Sequence, residues 1–128
     1  MKANVKFFKC EICGNVIGLM TDGGGTLVCC GEEMPQLTAN TSDGASEKHV
    51  PKVEREGDFL RVSVGETEHP ADNDHYIEWI SSVSENGTMR LTLAPGEKPV
   101  VTLYSPKACG NTDVYAYCNK HGLWKTEI

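Results

Sequence analysis

Tyr76-Ile77-Glu78-Trp79-Ile80-Ser81-Ser82-Val83-Ser84-Glu85-Asn86-Gly87-Thr88-Met89-Arg90-Leu91-Thr92-Leu93 (residues 76–93) is the stretch that decides the fold. Two runs rich in β-branched, aromatic and aliphatic residues, 76–83 and 88–93, flank Glu85-Asn86-Gly87. Asn-Gly accepts the positive φ of a tight hairpin turn, so the stretch predicts an antiparallel pair. The same pattern repeats on both sides. Val50 to Glu54 and Phe59 to Val64 flank Glu56-Gly57-Asp58, and Ala94-Pro95-Gly96-Glu97 turns the chain into Val100 to Tyr104. Asp113 to Tyr117 and Leu123 to Glu127 complete about seven strands with no convincing helix, which predicts a β-sandwich. The alternation along several strands is too imperfect to give their order.

The first 37 residues read differently, being dense in cysteine and glycine. A short β-type run, Val5-Lys6-Phe7-Phe8, leads into Cys10-Glu11-Ile12-Cys13-Gly14. A second apolar run, Val16 to Met20, ends at the turn Asp22-Gly23-Gly24-Gly25, and Thr26-Leu27-Val28 then delivers Cys29-Cys30-Gly31. So few apolar residues cannot hold a fold alone, and a metal must organise them. Residues 38–48 are small and polar and read as linker and loop. We therefore expect two domains, 1–37 and 38–128.

Composition limits the function. The chain has 128 residues, 39% hydrophobic and 7% aromatic, enough for one modest core of the size that metals often staple. A net charge of −6 is a poor match to nucleic acid, and any anionic substrate would need a local positive site. No apolar run approaches the ~20 residues needed to cross a bilayer. No apolar leader follows Met1-Lys2-Ala3-Asn4-Val5-Lys6, so a soluble cytoplasmic protein without a membrane partner is expected. In a reducing cytosol, paired cysteines serve more often as metal ligands than as disulfides.

Cys10-x-x-Cys13 with Cys29-Cys30 places four thiols within 21 residues. Cys-x-x-Cys is a chelating knuckle, and four thiolates suit tetrahedral zinc or iron. Adjacent Cys29 and Cys30 cannot repeat that knuckle and should distort the tetrahedron. A zinc staple and a pair of disulfides are the bland alternatives. The chain's four histidines, His49, His69, His75 and His121, all lie beside predicted turns of the second domain, and Cys118-Asn119-Lys120-His121 has chelate spacing. Five donors exceed the four that close an ordinary zinc site, and a thiolate among imidazoles suits redox iron. Lys48 could add positive charge there, as could Lys52, Lys120 and Lys125. Cys109, in Ser105 to Asn111, reads as a free loop thiol, with a redox-sensing role or an intermolecular disulfide as the alternatives.

These residues resemble desulfoferrodoxin, the two-iron form of superoxide reductase. The resemblance is carried by Cys-Glu-Ile-Cys-Gly-Asn at 10–15, Val-Cys-Cys-Gly-Glu at 28–32, Glu-Lys-His-Val-Pro at 47–51, Glu-His-Pro at 68–70, His-Tyr-Ile-Glu-Trp-Ile at 75–80 and Tyr-Cys-Asn-Lys-His-Gly-Leu-Trp-Lys at 117–125. It implies a desulforedoxin-like first domain with one iron held by Cys10, Cys13, Cys29 and Cys30. It implies an immunoglobulin-like second domain in which His49, His69, His75 and His121 surround a second iron with Cys118 axial. Glu47 would close the sixth position in the oxidised state, and Lys48 would assist the substrate. The implied activity is one-electron reduction of superoxide to hydrogen peroxide without oxygen release, by a homodimer with a rubredoxin-like electron donor. An iron electron carrier, a dismutase and a zinc-stapled binding module are the rival classes. The first iron is open to two roles, electron relay or structural staple.

Overall fold

A computed structural model describes residues 5–128; residues 1–4 and the side chain of Cys109 lie outside the described residues. The chain divides at Thr38/Ala39 into two compact units.

In the first unit, β1 (Lys6–Lys9) pairs antiparallel with β2 (Val16–Leu19), and β3 (Val28–Cys29) with β4 (Glu32–Glu33). Its apolar interior is small: Phe7, Cys10 and Met34 are the hydrophobic side chains buried there. Cys30 and Gly31 link β3 to β4 with φ of 53° and 78°, both left-handed, as a two-residue type I′ turn requires. That turn explains how neighbouring cysteines share a site. Cys29 ends a strand, while Cys30 occupies a turn position that a non-glycine residue rarely adopts.

The second unit is a sandwich of seven antiparallel strands. β5 (Pro51–Glu56), β6 (Phe59–Val64) and β9 (Val100–Tyr104) form one sheet in the order β5-β6-β9. β7 (Ile77–Ser84), β8 (Gly87–Thr92), β10 (Asp113–Cys118) and β11 (Gly122–Glu127) form the other, in the order β11-β10-β7-β8. The expected hairpin forms, but Ser84 pairs with Gly87, so Glu85 and Asn86 are its turn residues; Asn86 does not take a positive φ, whereas Gly87, at φ 142°, does. Period-two burial on β6 sends Leu60, Val62 and Val64 inward and leaves Phe59 and Arg61 outside. They meet Ile77, Ile80, Leu93, Leu103, Val114, Ala116 and Cys118 in the core between the sheets. A register shift between β7 and β10 sets Tyr117 opposite Trp79 but Cys118 opposite Ile77. Such a bulge re-aims the chain, here where it leaves the sheet at both residues.

Two short elements depart from the helix-free expectation, one of them the 3-10 turn Lys107–Cys109. Ser46–His49 form a single helical turn, α1, inside the stretch read as linker and loop. Four residues are too few to show helical periodicity, so sequence pattern could not reveal it. The turn is possible because Gly65 leaves room. A Cβ on Gly65 would stand 2.8 Å from the carbonyl oxygen of Glu47 and 2.9 Å from backbone atoms of Lys48 and Val50. We predict that Gly65→Ala forces this turn outward and destabilises the protein by about 1–3 kcal/mol, read as a lower denaturant midpoint. A midpoint within error of the unmodified protein would contradict this.

Candidate metal centres

Cys10, Cys13, Cys29 and Cys30 present their sulfurs within 4.8 Å of one another. The turn after β1 is closed by Cys10 N–H to Asn15 O at 2.8 Å and Gly14 N–H to Cys10 O at 2.9 Å, with Gly14 at φ 83°. Cys13 Sγ lies 3.6 Å from Cys29 Sγ, and Cys29 Sγ lies 4.0 Å from Cys30 Sγ. Tetrahedral bonds of about 2.3 Å need sulfurs roughly 3.8 Å apart, so the set fits one ion. The thiols at Cys10, Cys13, Cys29, Cys30 and Cys118 are all free, against the disulfide alternative. Four thiols this close cannot all ionise without a cation. The backbone N–H of Cys13 holds Cys10 down to about 6, while hydrogen bonds with Cys13, Cys10 and Cys29 push Cys30 up to about 12.

The second set gathers at one end of the sandwich. His49 ends α1 and precedes β5, His69 follows β6, and His75 precedes β7. Cys118 ends β10 and His121 precedes β11. Pro51 pairs with Val64, and Cys118 with both Ile77 and Gly122, so the strand ends that carry these residues lie together within each sheet. His49, His69, His75 and Cys118 bring their donor atoms within 4.8 Å of one another. His121 completes a four-cornered arrangement of rings, although its nitrogen is not among those converging atoms. Neighbouring centroids are 4.6 Å (His49–His69), 4.7 Å (His69–His75), 5.0 Å (His75–His121) and 4.9 Å (His121–His49), all edge-to-face. Across the corner, His49 and His75 stand 6.3 Å apart and more nearly parallel, at 29°.

The backbone sets the tautomers. His49 Nδ1 lies 2.8 Å from Ala45 O, His69 Nδ1 2.7 Å from Pro70 O, and His121 Nδ1 2.9 Å from Asp43 O. A carbonyl oxygen only accepts, so each Nδ1 carries the proton and Nε2 the lone pair. Yet the Nε2 atoms of His49 and His69 face each other at 3.1 Å. Two lone pairs at that distance repel unless a cation lies between them. Cis ligands on a metal, each about 2.1 Å from it, stand roughly 3.0 Å apart. His75 Nε2 is buried with no hydrogen-bond partner, a second donor awaiting an ion. Burial is the main cause of lowered pKa at His49, His69 and His75, taking His69 to about 4. All three are therefore neutral, as ligands must be. Burial pushes the Cys118 thiol up, opposed by the N–H groups of Lys120 and His121, so its thiolate also calls for a cation.

Several supporting residues carried no signal in the sequence. The supposed linker is a strap laid along β11. Asn40 N–H donates to Leu123 O, and the Asn40 side chain pairs in both directions with Lys125. Further along the strap, the carbonyls of Asp43 and Ala45 take the imidazole protons described above. Gly44 between them has φ 149°, and a Cβ there would stand 3.1 Å from His49 and 3.3 Å from His121. Trp124 is buried, stacks on His49 at 4.9 Å and 26°, and donates its Nε1–H to His121 O at 3.0 Å. Glu47 and Lys48 are exposed on α1, immediately before His49. Lys52, Lys120 and Lys125 pair with Glu54, Asp74 and Glu127, whereas Lys48 has no ion-pair partner among the described residues. Cys109 closes a 3-10 turn, Lys107–Cys109, and its thiol lies outside what is described.

A tetrathiolate set and an imidazole–thiolate set on an all-β chain define a non-haem oxidoreductase with two iron centres. Residues 41–127 match the family described as desulfoferrodoxin, and residues 3–37 its N-terminal domain. The chain belongs to the desulfoferrodoxin family. It is 42% identical to the desulfoferrodoxin of Syntrophotalea carbinolica over 99% of both chains. Its fold is similar to the superoxide reductase of Treponema pallidum, with TM-score 0.76 and 28% identity over 96% of this chain and 98% of that one. The superoxide reductase (1Fe-SOR) of Giardia intestinalis matches at TM-score 0.58 and 30% identity, over 64% of this chain and 97% of that one.

The buried rings predict a pH dependence. Their folded pKa values lie below the ordinary imidazole value of 6.5, so the unfolded chain binds protons that the fold excludes. For the metal-free protein, stability should fall as pH drops from about 6.5 towards the value of about 4 at His69, read by urea titration. His69→Ala should flatten that slope. An equal slope in the variant would contradict the assignment.

Proposed function

We propose that this chain is a superoxide reductase, converting superoxide, one electron and two protons into hydrogen peroxide without releasing oxygen. The observation that carries this reading is the convergence of neutral, lone-pair-bearing imidazole nitrogens beside a buried thiol. With His121 at the remaining corner of the ring arrangement, the set would exceed the four donors that close a structural site. On this reading His49, His69, His75, His121 and Cys118 hold the reacting iron in a domain spanning 38–128. Cys10, Cys13, Cys29 and Cys30 hold the other in a domain spanning 1–37. Iron held there would supply the electron that superoxide accepts.

The remaining work belongs to the chain's own groups. Cys118 is 0% exposed and part of the sandwich core, so a small anion would not reach the site past its sulfur. The neutral imidazoles add no charge, so a single thiolate leaves a divalent ion with net positive charge. That gives superoxide a local target on a chain of net charge −6. Lys48 adds attraction and can hand a proton from Nζ to the departing product. Glu47 offers its carboxylate to the oxidised resting site. The family resemblance supports a cytoplasmic homodimer, fed by a rubredoxin-like donor, that removes superoxide during oxidative stress.

Mixing reduced protein with superoxide tests the reading. Peroxide should form in step with iron oxidation and without oxygen; oxygen release would instead make the protein a dismutase. Lys48→Ala should slow superoxide capture about 10-fold and weaken its dependence on ionic strength. A rate and salt dependence like those of the unmodified protein would remove Lys48 from steering.

A further inference from the structure

His75 differs from the other three imidazoles. Backbone carbonyls hold the Nδ1 atoms of His49, His69 and His121, but among the described residues no such hydrogen bond holds the ring of His75. Something other than its ring must determine where it stands. His75 itself lies in a short loop closed by mutual backbone contacts with Asp72, at 3.0 and 3.3 Å.

Both neighbours of His75 are held by one side chain. Tyr76 N–H donates to Asn119 Oδ1 at 3.0 Å, and Asn119 Nδ2 donates to Asp74 O at 2.9 Å. The Asn119 backbone N–H donates to Tyr76 O at 3.2 Å. The β7–β10 ladder ends with Cys118 opposite Ile77. One step further, the chain must leave the ladder to turn through Lys120 into His121. Asn119 lets it do so, because its side-chain carbonyl takes the hydrogen bond that a strand carbonyl would have taken. Its amide nitrogen then carries the pairing past His75. Asparagine carries its acceptor and its donor on two separate atoms of one planar amide, which lets it bridge two backbone groups; aspartate lacks the donor, and glutamine is one methylene longer.

We propose that Asn119 is a positioning residue that sets His75 relative to Cys118 and His121. This proposal rests on the reading of these residues as iron ligands. Asn119 does not touch the metal; it ties the backbone that carries one ligand to the knuckle that carries two others. Partners of this kind, standing behind the ligands, typically change metal affinity about 10–100-fold when removed.

The test uses the iron-loaded full chain challenged with excess ferrous chelator. Mössbauer spectra show which centre has emptied. In Asn119→Ala, the imidazole–thiolate centre should lose iron about 10–100-fold faster, while the tetrathiolate keeps its unmodified rate. Equal release rates in variant and unmodified protein would overturn the proposal. So would equal acceleration at both centres, since that marks general loosening. If Asn119→Ala does not fold, Asn119→Asp decides: it keeps the acceptor for Tyr76 N–H and loses the donor to Asp74. Faster release confined to the same centre supports the role, and unchanged release refutes it. Unmodified protein with no iron among its imidazoles would overturn the functional reading itself, and this proposal with it.

Discussion

Atoms that repel one another are held together in this protein. At the end of the sandwich, two imidazole nitrogens face each other at 3.1 Å with their protons committed elsewhere. In the first unit, four thiols crowd within 4.8 Å. The facing lone pairs, and the thiols once they ionise, repel without a cation, so the fold and the ion together must hold each set. The sandwich does so through a core continuous with the site: Cys118 is both a ligand candidate and a member of the apolar cluster. The first unit, with little apolar interior, relies instead on tight turns and on the ion itself.

The hydrogen bonds around the imidazoles come mainly from backbone, and that choice has a consequence. A carbonyl oxygen cannot donate, so it fixes the tautomer without ambiguity and leaves the opposite nitrogen free to bind. It also brings no charge. Carboxylates behind the rings would push negative charge into a site meant to attract an anion. With carbonyls at Asp43, Ala45 and Pro70, the thiolate of Cys118 remains the one anionic donor of the set.

The parts legible in the sequence were those encoded by residue type. The Cys10-x-x-Cys13 spacing, the Cys118-x-x-His121 spacing, the placing of each histidine beside a turn and the Asn86-Gly87 hairpin all announce themselves. The strap did not, because its work is done by carbonyls, which every residue has. Asn40 to Ala45 read as linker for the reasons that make them a good strap: small, polar and without propensity. Gly44 and Gly65 matter for the side chains they lack, and what would occupy that space becomes visible only when distant segments are in place. Strand order was equally hidden. β7 is buried along nearly its whole length, including Trp79, Ser81 and Val83, so it shows no alternation to read.

The two centres solve one problem in opposite ways, and the contrast bears on what each can do. The tetrathiolate has four donors, the number that closes a tetrahedral site, and two of its cysteines, Cys13 and Cys30, are exposed. Nothing is left for a substrate to bind, but electrons can enter near the surface. The other set buries His49, His69 and Cys118. On the reading proposed above, with His121 as a fifth donor, a position stays open for a substrate only if no side chain is forced into it. Glu47 and Lys48, just before His49, are both exposed, and that reading gives them the roles of returning carboxylate and attracting ammonium where a small anion must enter, react and be replaced.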